Sequence, residues 1–360
     1  MLAELYFYRI NTICVNEFDK GKKLAIFPVG QVGSYVKNFV QERYGQNVVC
    51  IDNFLCKYNK DIISLDDFMK VDSARYTIIL CATNQKLNRT LISLLSEKKI
   101  QSSIVNLLEA PIERHDEKKD FFATIKTLLE VGCACDKQLI RIGEEHDGGY
   151  VMLDDFESID VAYSFGISTN SMWDLDMAEK GIDVYCYDPS VSGIIGATDK
   201  IHFFRYGITD TKHIGDRYFS LLDLLQKNNH IKNNNMILKF DIEGAEWDVL
   251  DDMDVDLLAR FNQISCELHN IVSADRKEQI IRCLEKLTFN HSVVWVHGNN
   301  AGRVEMAGNI IIPEYLELTL VRKDLYKLEE CNYNCPIEID APNTDIGFDI
   351  QLLHWNNSVK

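Results

Sequence analysis

Leu238-Lys239-Phe240-Asp241-Ile242-Glu243-Gly244-Ala245-Glu246 is the stretch on which the fold turns. Met236 to Phe240 is an apolar run of strand length, it ends on Asp241 and Glu243, and a helix follows. Upstream, Val161-Phe165, Val184-Tyr187 and Ile201-Arg205 read as strands of the same kind. Downstream come Gln263-Leu268, Ser292-Val296 and finally Tyr315-Val321, where Leu316, Leu318 and Leu320 alternate. Helices fall between most of them. The clearest is Ser273 to Leu287, with Ile280, Ile281, Leu284 and Leu287 on one face and Ser273 as candidate N-cap. Strands alternating with helices imply an α/β fold with a parallel sheet. The last strand lacks a long crossover helix before it and is expected to run antiparallel.

Composition bounds the rest. The chain has 360 residues and a net charge of −17, with 46% hydrophobic and 26% charged residues. That is a globular mixture, too apolar for a disordered chain. The length exceeds what one core usually holds, so two domains are expected. An acidic chain repels phosphate backbones, which argues against nucleic acid as a partner. No run approaches the roughly 18 apolar residues of a membrane span, and the N-terminus lacks the pattern of a signal peptide. Eleven cysteines, five of them inside apolar runs (Cys50, Cys81, Cys186, Cys266, Cys283), suit reduced core thiols and a cytoplasmic location. Cys133/Cys135 and Cys331/Cys335 are close pairs from which a zinc site could be built, although neither has the usual knuckle spacing.

A smaller Rossmann-like α/β block is expected over residues 1–112. Its strands are Leu24-Phe27, Val48-Ile51, Tyr76-Cys81 and Ser103-Leu107, with a helix over Lys86 to Lys99. Gly30-x-x-Gly33 lies between the first strand and a helix, and Asp52 ends the second strand. Such a turn can receive a phosphate, but Pro28 stands where the first glycine of a dinucleotide fingerprint would fall. A Rossmann-like scaffold with a tight turn and no cofactor is therefore the expectation. A charged, helical linker follows over 113–137, then the main domain over 138–328, then a loop-like extension over 329–360.

In the main block, the residues that carry chemistry gather at strand C-terminal ends, where open α/β sheets bind ligands. Tyr163-Ser164-Phe165-Gly166-Ile167-Ser168 runs from a strand into a turn, and Gly166 permits close backbone approach. Asp188 lies 22 residues beyond Gly166, a spacing that suits a carboxylate on ribose hydroxyls, while a cap on the turn before Pro189 is the simpler alternative. Gly207 and Ile208 follow the third strand at a position that packs on the base in nucleoside sites.

The strand ending in Lys239-x-Asp241-x-Glu243-Gly244-Ala245-Glu246 resembles the FkbM-type family of S-adenosylmethionine-dependent O-methyltransferases. Supporting likenesses are Tyr163 to Ser168, Tyr187-Asp188-Pro189, Gly207-Ile208 and Ser220 to Leu225. Arg141-Ile142-Gly143 with His146-Asp147-Gly148-Gly149-Tyr150 is similar to the opening segment of one branch of that family. The resemblance covers roughly Gln138 to Lys323. It implies a class I, Rossmann-like methyltransferase sheet of seven mostly parallel strands. It further implies S-adenosylmethionine as cofactor, with Tyr163 to Ser168 around the methionine part, Asp188 on the ribose, Gly207 and Ile208 beside adenine, and Asp241 at the reacting centre. Ser168 stands where the family carries its second glycine.

The catalytic end can be argued from the residues alone. Methyl transfer to a hydroxyl needs an in-line oxygen and something to take its proton. Asp241 and Glu243 follow one strand, Glu267 and His269 end the next on the same side, and His297 ends the one after. Convergence of Asp241, Glu267, His269 and His297 would make either a general-base set or a site for a divalent metal. Asn299, Asn300 and Arg303, with Trp295 and Tyr150, offer contacts for a polyhydroxylated acceptor. The expected partner is thus a carbohydrate, nucleotide-linked or part of a surface polysaccharide, with the first block presenting it or pairing two chains into a homodimer. Two other readings compete: an NAD(P)-dependent nucleotide-sugar oxidoreductase, and a nucleotide-sensing module without catalysis. The broken glycine fingerprint and the missing Tyr-x-x-x-Lys weigh against the former, and the joint presence of Asp188, Asp241, Glu267 and His297 against the latter.

Overall fold

The computed structural model describes residues 2–82, 85–107, 116–134, 136–307, 310–330, 333–345, 349–352 and 355–356. Contacts divide the chain into two units, Met1–Asp116 with Arg303–Asn309, and Glu117–Gly302 with Ile310–Lys360.

The first unit holds a parallel sheet in the order Ile62–Ile63, Val49–Ile51, Lys23–Phe27, Tyr76–Leu80, Ser103–Asn106. The helix Leu2–Asp19 and the two-residue strand Ile62–Ile63 add to the elements legible in the sequence. Ala25, Phe27, Ile51, Ile78 and Leu80 pack with Leu65 and Phe68 into its core. At the Gly30-x-x-Gly33 turn, a Cβ on Gly33 would meet the Pro28 carbonyl at 2.6 Å, so this glycine serves the packing of helix Gly30–Tyr44 against its own turn. Asp52 accepts hydrogen bonds from the backbone N–H groups of Val29 (3.2 Å), Phe54 (2.9 Å) and Leu55 (2.9 Å), and so ties the two loops together.

The second unit is built on a seven-stranded sheet. Its spatial order is Ile201–Phe204, Asp183–Tyr187, Val161–Phe165, Met236–Phe240, Phe261–Leu268, Leu316–Arg322, His291–Gly298. All strands are parallel except Leu316–Arg322, which is antiparallel to both neighbours. Val161–Phe165, Met236–Phe240 and Phe261–Leu268 are buried along their whole length, as expected of strands covered on both faces. Chain order reverses between Val161–Phe165 and Met236–Phe240. The loops leaving these two strands therefore part in opposite directions and open a crevice.

Two local readings are corrected. The helix expected from Ser273 begins as a single 3-10 turn, Ala274–Arg276, then runs as Lys277–Asn290, and the Ser273 side chain makes no capping hydrogen bond. Cys133 is disulfide-bonded, which removes it from the reduced thiols and from any thiolate zinc set; Cys135 and Cys331 lie outside the described residues. The described part of the C-terminal extension packs on the second unit: the Trp295 indole donates to Asp340 (2.8 Å) and the Trp355 indole to the Leu129 carbonyl (2.8 Å). Among the described residues, no helix is long and apolar enough to cross a membrane.

Candidate active site

The crevice holds a cavity of about 450 Å³. Of the residues expected to hold the cofactor, Phe165, Gly166, Ile167, Ser168, Asp188, Gly207, Ile208 and Asp241 line it. Tyr163 and Ser164 do not. They sit below the sheet edge, with the Tyr163 hydroxyl against Asn228 (3.0 Å) and His230 (2.9 Å) and Ser164 fully buried.

Two strand ends meet at Gly166. A Cβ there would lie 1.6 Å from the Asp241 carbonyl oxygen. Lys239 reaches across to donate to the Gly166 carbonyl (2.8 Å). Beyond it, the N–H groups of Ile167 and Ser168 both donate to Asp188 Oδ2 at 2.8 Å. The Ser190 N–H (2.7 Å) and hydroxyl (2.6 Å) donate to Asp188 Oδ1. Burial alone would raise the Asp188 pKa, but the hydrogen bonds from Ser190, Ser168 and Ile167 hold it below the usual carboxylate range. Asp188 thus braces the turn, the simpler of its two readings, while it also lines the cavity. A carboxylate has about four acceptor sites and the chain uses four, so a ribose diol reaches Asp188 by displacing a donor such as the Ser190 hydroxyl. The first task of Asp188 is to shape the turn.

On the other side of Asp241 lies a carboxylate–imidazole cluster. His269 Nδ1 is 3.0 Å from Glu246 Oε1, and the same oxygen accepts the N–H groups of Ile242 (3.0 Å) and Gly244 (3.2 Å). Glu246 thus folds back from the first turn of its helix, ties the preceding loop and fixes the imidazole. The Trp247 indole donates to the His269 carbonyl (2.6 Å), holding the backbone as well. His269 Nε2 faces Glu243 at 3.6 Å and Asp241 and Glu267 at 4.0 Å each. Asn299 donates to Glu267 Oε1 (2.8 Å), and the buried Tyr150 hydroxyl stands 3.5 Å from Asp241 Oδ2.

The charges in this cluster are unbalanced. Burial pushes Asp241 up to about 6 against the opposing pull of Lys239 and His269. Burial also raises Glu267 well above the usual carboxylate range, reinforced by Asp241 and Glu317. Burial works against a charged His269, but Glu246, Asp241 and Glu243 together raise its pKa.

His297 does not join this cluster, contrary to the expectation of four converging groups. The final strand, Leu316–Arg322, slots between the strands carrying Glu267 and His297, and its Glu317 sits in register with both. His297 is only 1% exposed, with Nδ1 2.8 Å from Glu317 Oε2 and Nε2 2.9 Å from Asp349 Oδ1. Burial opposes its charge, yet these two carboxylates raise its pKa to about 10, so both ring nitrogens donate. Asn343 donates to the other Glu317 oxygen (2.7 Å). Asn300 is likewise occupied, donating to the Thr344 carbonyl (3.0 Å) and accepting its N–H (2.8 Å). Arg303 belongs to the first unit, where it pairs with Asp19 at 3.5 Å.

Sequence reasoning missed Glu246, Glu317, Asn343 and Asp349. Only Glu246 had a local signal, as the last acidic residue of the strand-to-helix motif.

Neither a family model nor a curated protein matches the chain. Among solved structures it is similar to the methyltransferase FkbM from Methylobacillus flagellatus KT, with 12% identity over 82% of this chain and 90% of that one and a TM-score of 0.34. A putative SAM-dependent methyltransferase from Streptococcus mutans follows at 8% identity, 68% of each chain and a TM-score of 0.28. The RCK domain of GsuK aligns at 8% identity over 84% of this chain and 93% of that one, with a TM-score of 0.20.

Proposed function

We propose that the second unit is an S-adenosylmethionine-dependent O-methyltransferase acting on a hydroxyl of a carbohydrate. The observation that carries this is Asp241, which both ends the wall of the cavity and belongs to the Glu267–His269 cluster. A ligand cleft and a proton-handling group thus share one residue. The strand order, with its single antiparallel strand next to the edge, is that of class I methyltransferases, and the sequence motifs resemble the FkbM type.

The cavity suits the cofactor. Its size falls in the range of small-molecule sites, about 300–1,000 Å³. Ile208, Tyr187 and Phe165 supply apolar wall for a base and ribose, and Asp241, Glu243 and Asp147 give a negative rim that favours a cation. When bound, S-adenosylmethionine supplies an electrophilic methyl group on a sulfonium. The turn Gly166-Ile167-Ser168, braced by Asp188, would hold its amino-acid and ribose portions, and Gly207 and Ile208 would flank the base. The acceptor hydroxyl would meet the Asp241–Glu267–His269 set, whose carboxylates or imidazole would take its proton; a divalent ion held by the same residues would supply Lewis acidity that lowers the hydroxyl pKa.

Calorimetric titration with S-adenosylhomocysteine tests this reading. Binding is expected, and Asp188→Ala should weaken it at least tenfold, because the Ile167 and Ser168 N–H groups lose their common acceptor. Absence of heat with the unmodified protein removes the proposal; unchanged affinity in Asp188→Ala places the nucleoside elsewhere.

A further inference from the structure

We infer that Asp241, Glu267 and His269 ligate one divalent metal ion where the cavity meets the cluster. This deepens the methyltransferase reading, and rests on it only for what the ion holds: two neighbouring oxygens of a polyhydroxylated acceptor.

The geometry is that of a ligand set around a shared centre. The ligand atoms of Asp241, Glu267 and His269 all lie within 4.8 Å of one another. Ligands of one ion at about 2.1–2.4 Å can stand no further apart than roughly 4.2–4.8 Å. His269 Nε2 has three carboxylate oxygens at 3.6–4.0 Å, too far for hydrogen bonds yet grouped on one side of the ring. Its other nitrogen is already committed to the buried Glu246, the carboxylate–histidine arrangement that aims an imidazole at a metal. Each ligand has such an outer partner: Glu246 for His269, Asn299 for Glu267, Tyr150 for Asp241.

Charge argues the same way. The cations near the cluster have other duties, since Lys239 donates to the Gly166 carbonyl and His297 is shared by Glu317 and Asp349. A half-buried and a buried carboxylate with an imidazole, and no thiolate, favour Mg²⁺ or Mn²⁺ over soft metals. The two neighbouring groups of potential ligands are already engaged. Glu317 serves His297 with one oxygen and Asn343 with the other, and both His297 nitrogens face carboxylates.

The probe is Mn²⁺ added to chelator-treated, dialysed full-length protein, followed by the paramagnetic resonance signal of the free ion. One Mn²⁺ per chain should be taken up, and electron spin echo of the bound ion should carry the modulation of a directly ligated imidazole ¹⁴N. His269→Gln should erase that modulation and weaken binding at least tenfold. Glu267→Gln should weaken binding similarly while the modulation of the remaining bound ion persists. Tryptophan fluorescence checks that both variants fold. No stoichiometric uptake by the unmodified protein, bound Mn²⁺ without ¹⁴N coupling, or unaltered binding in a folded variant each overturns the inference. S-adenosylhomocysteine titrated in parallel separates the two claims: binding of it without Mn²⁺ uptake removes the metal alone, and Mn²⁺ uptake without it removes the methyl-donor reading alone.

Discussion

Gly166→Ala is expected to cost the second unit more than about 4 kcal/mol, enough to abolish folding of a marginally stable domain. Gly166 has a φ of +77°, which by itself penalises an alanine by about 1–2 kcal/mol. The larger part is steric. The new Cβ would stand 1.6 Å from the Asp241 carbonyl oxygen and 2.7 Å from its carbon. To make room, the two central strands must separate where Asp241 N–H donates to the Phe165 carbonyl (3.0 Å) and Lys239 to the Gly166 carbonyl (2.8 Å). Gly181→Ala is the control: its φ is +86°, but a Cβ there meets nothing within 4 Å. It should show the backbone penalty alone. Urea unfolding followed by tryptophan fluorescence reads this unit selectively, because Trp173, Trp247, Trp295 and Trp355 all belong to it. Similar midpoints for the two variants would mean that the strand ends are not in contact at Gly166.

That contact lies at the limit of what the sequence discloses. Asp188, Asp241, Glu267 and His269 were legible because each stands at the C-terminal end of a strand readable in the sequence, and a buried parallel strand presents its last residues at the ligand edge. Their partners were not. Glu317, Asn343 and Asp349 reach the site from the far end of the chain, and a pairing such as His297 with Asp349, 52 residues apart, leaves no local pattern. The expected convergence of His297 failed for a topological reason. The final strand inserts between two consecutive ones, and nothing in the periodicity of Leu316, Leu318 and Leu320 says between which neighbours it lies. Asp188 illustrates a different limit: its spacing from Gly166 fits a ribose ligand and a turn brace equally, and only the hydrogen bonds from Ile167, Ser168 and Ser190 show the second.

His297→Ala is expected to destabilise the second unit by about 3–5 kcal/mol at neutral pH, the cost of stripping a buried ion pair of one partner. Glu317 is 1% exposed, so removing the imidazolium leaves a charge with no solvent to screen it. The effect has a defined pH dependence. The folded-state pKa of His297 is about 10, above the roughly 6.5 of an unfolded chain. Its contribution is therefore fully present below about pH 6.5 and fades as pH rises towards 10, because the unfolded state releases the proton first. The stability gap between wild type and variant should accordingly narrow between pH 7 and 10, as read by urea midpoints from the four tryptophans, one of which, Trp295, stacks on His297 at 5.7 Å. A gap below about 1 kcal/mol, or one constant across that range, would show that His297 is not held as a cation. Because Asp349 and Asn343 come from the C-terminal extension, the variant should also loosen that segment, increasing its hydrogen exchange at Asn343, Thr344 and Ile350. Ions bound at Asp241, Glu267 and His269 should be affected far less, since one intervening strand separates that cluster from His297. Hydrogen exchange and Mn²⁺ affinity measured on the same variant thus distinguish a residue that anchors the extension from one that takes part in the chemistry.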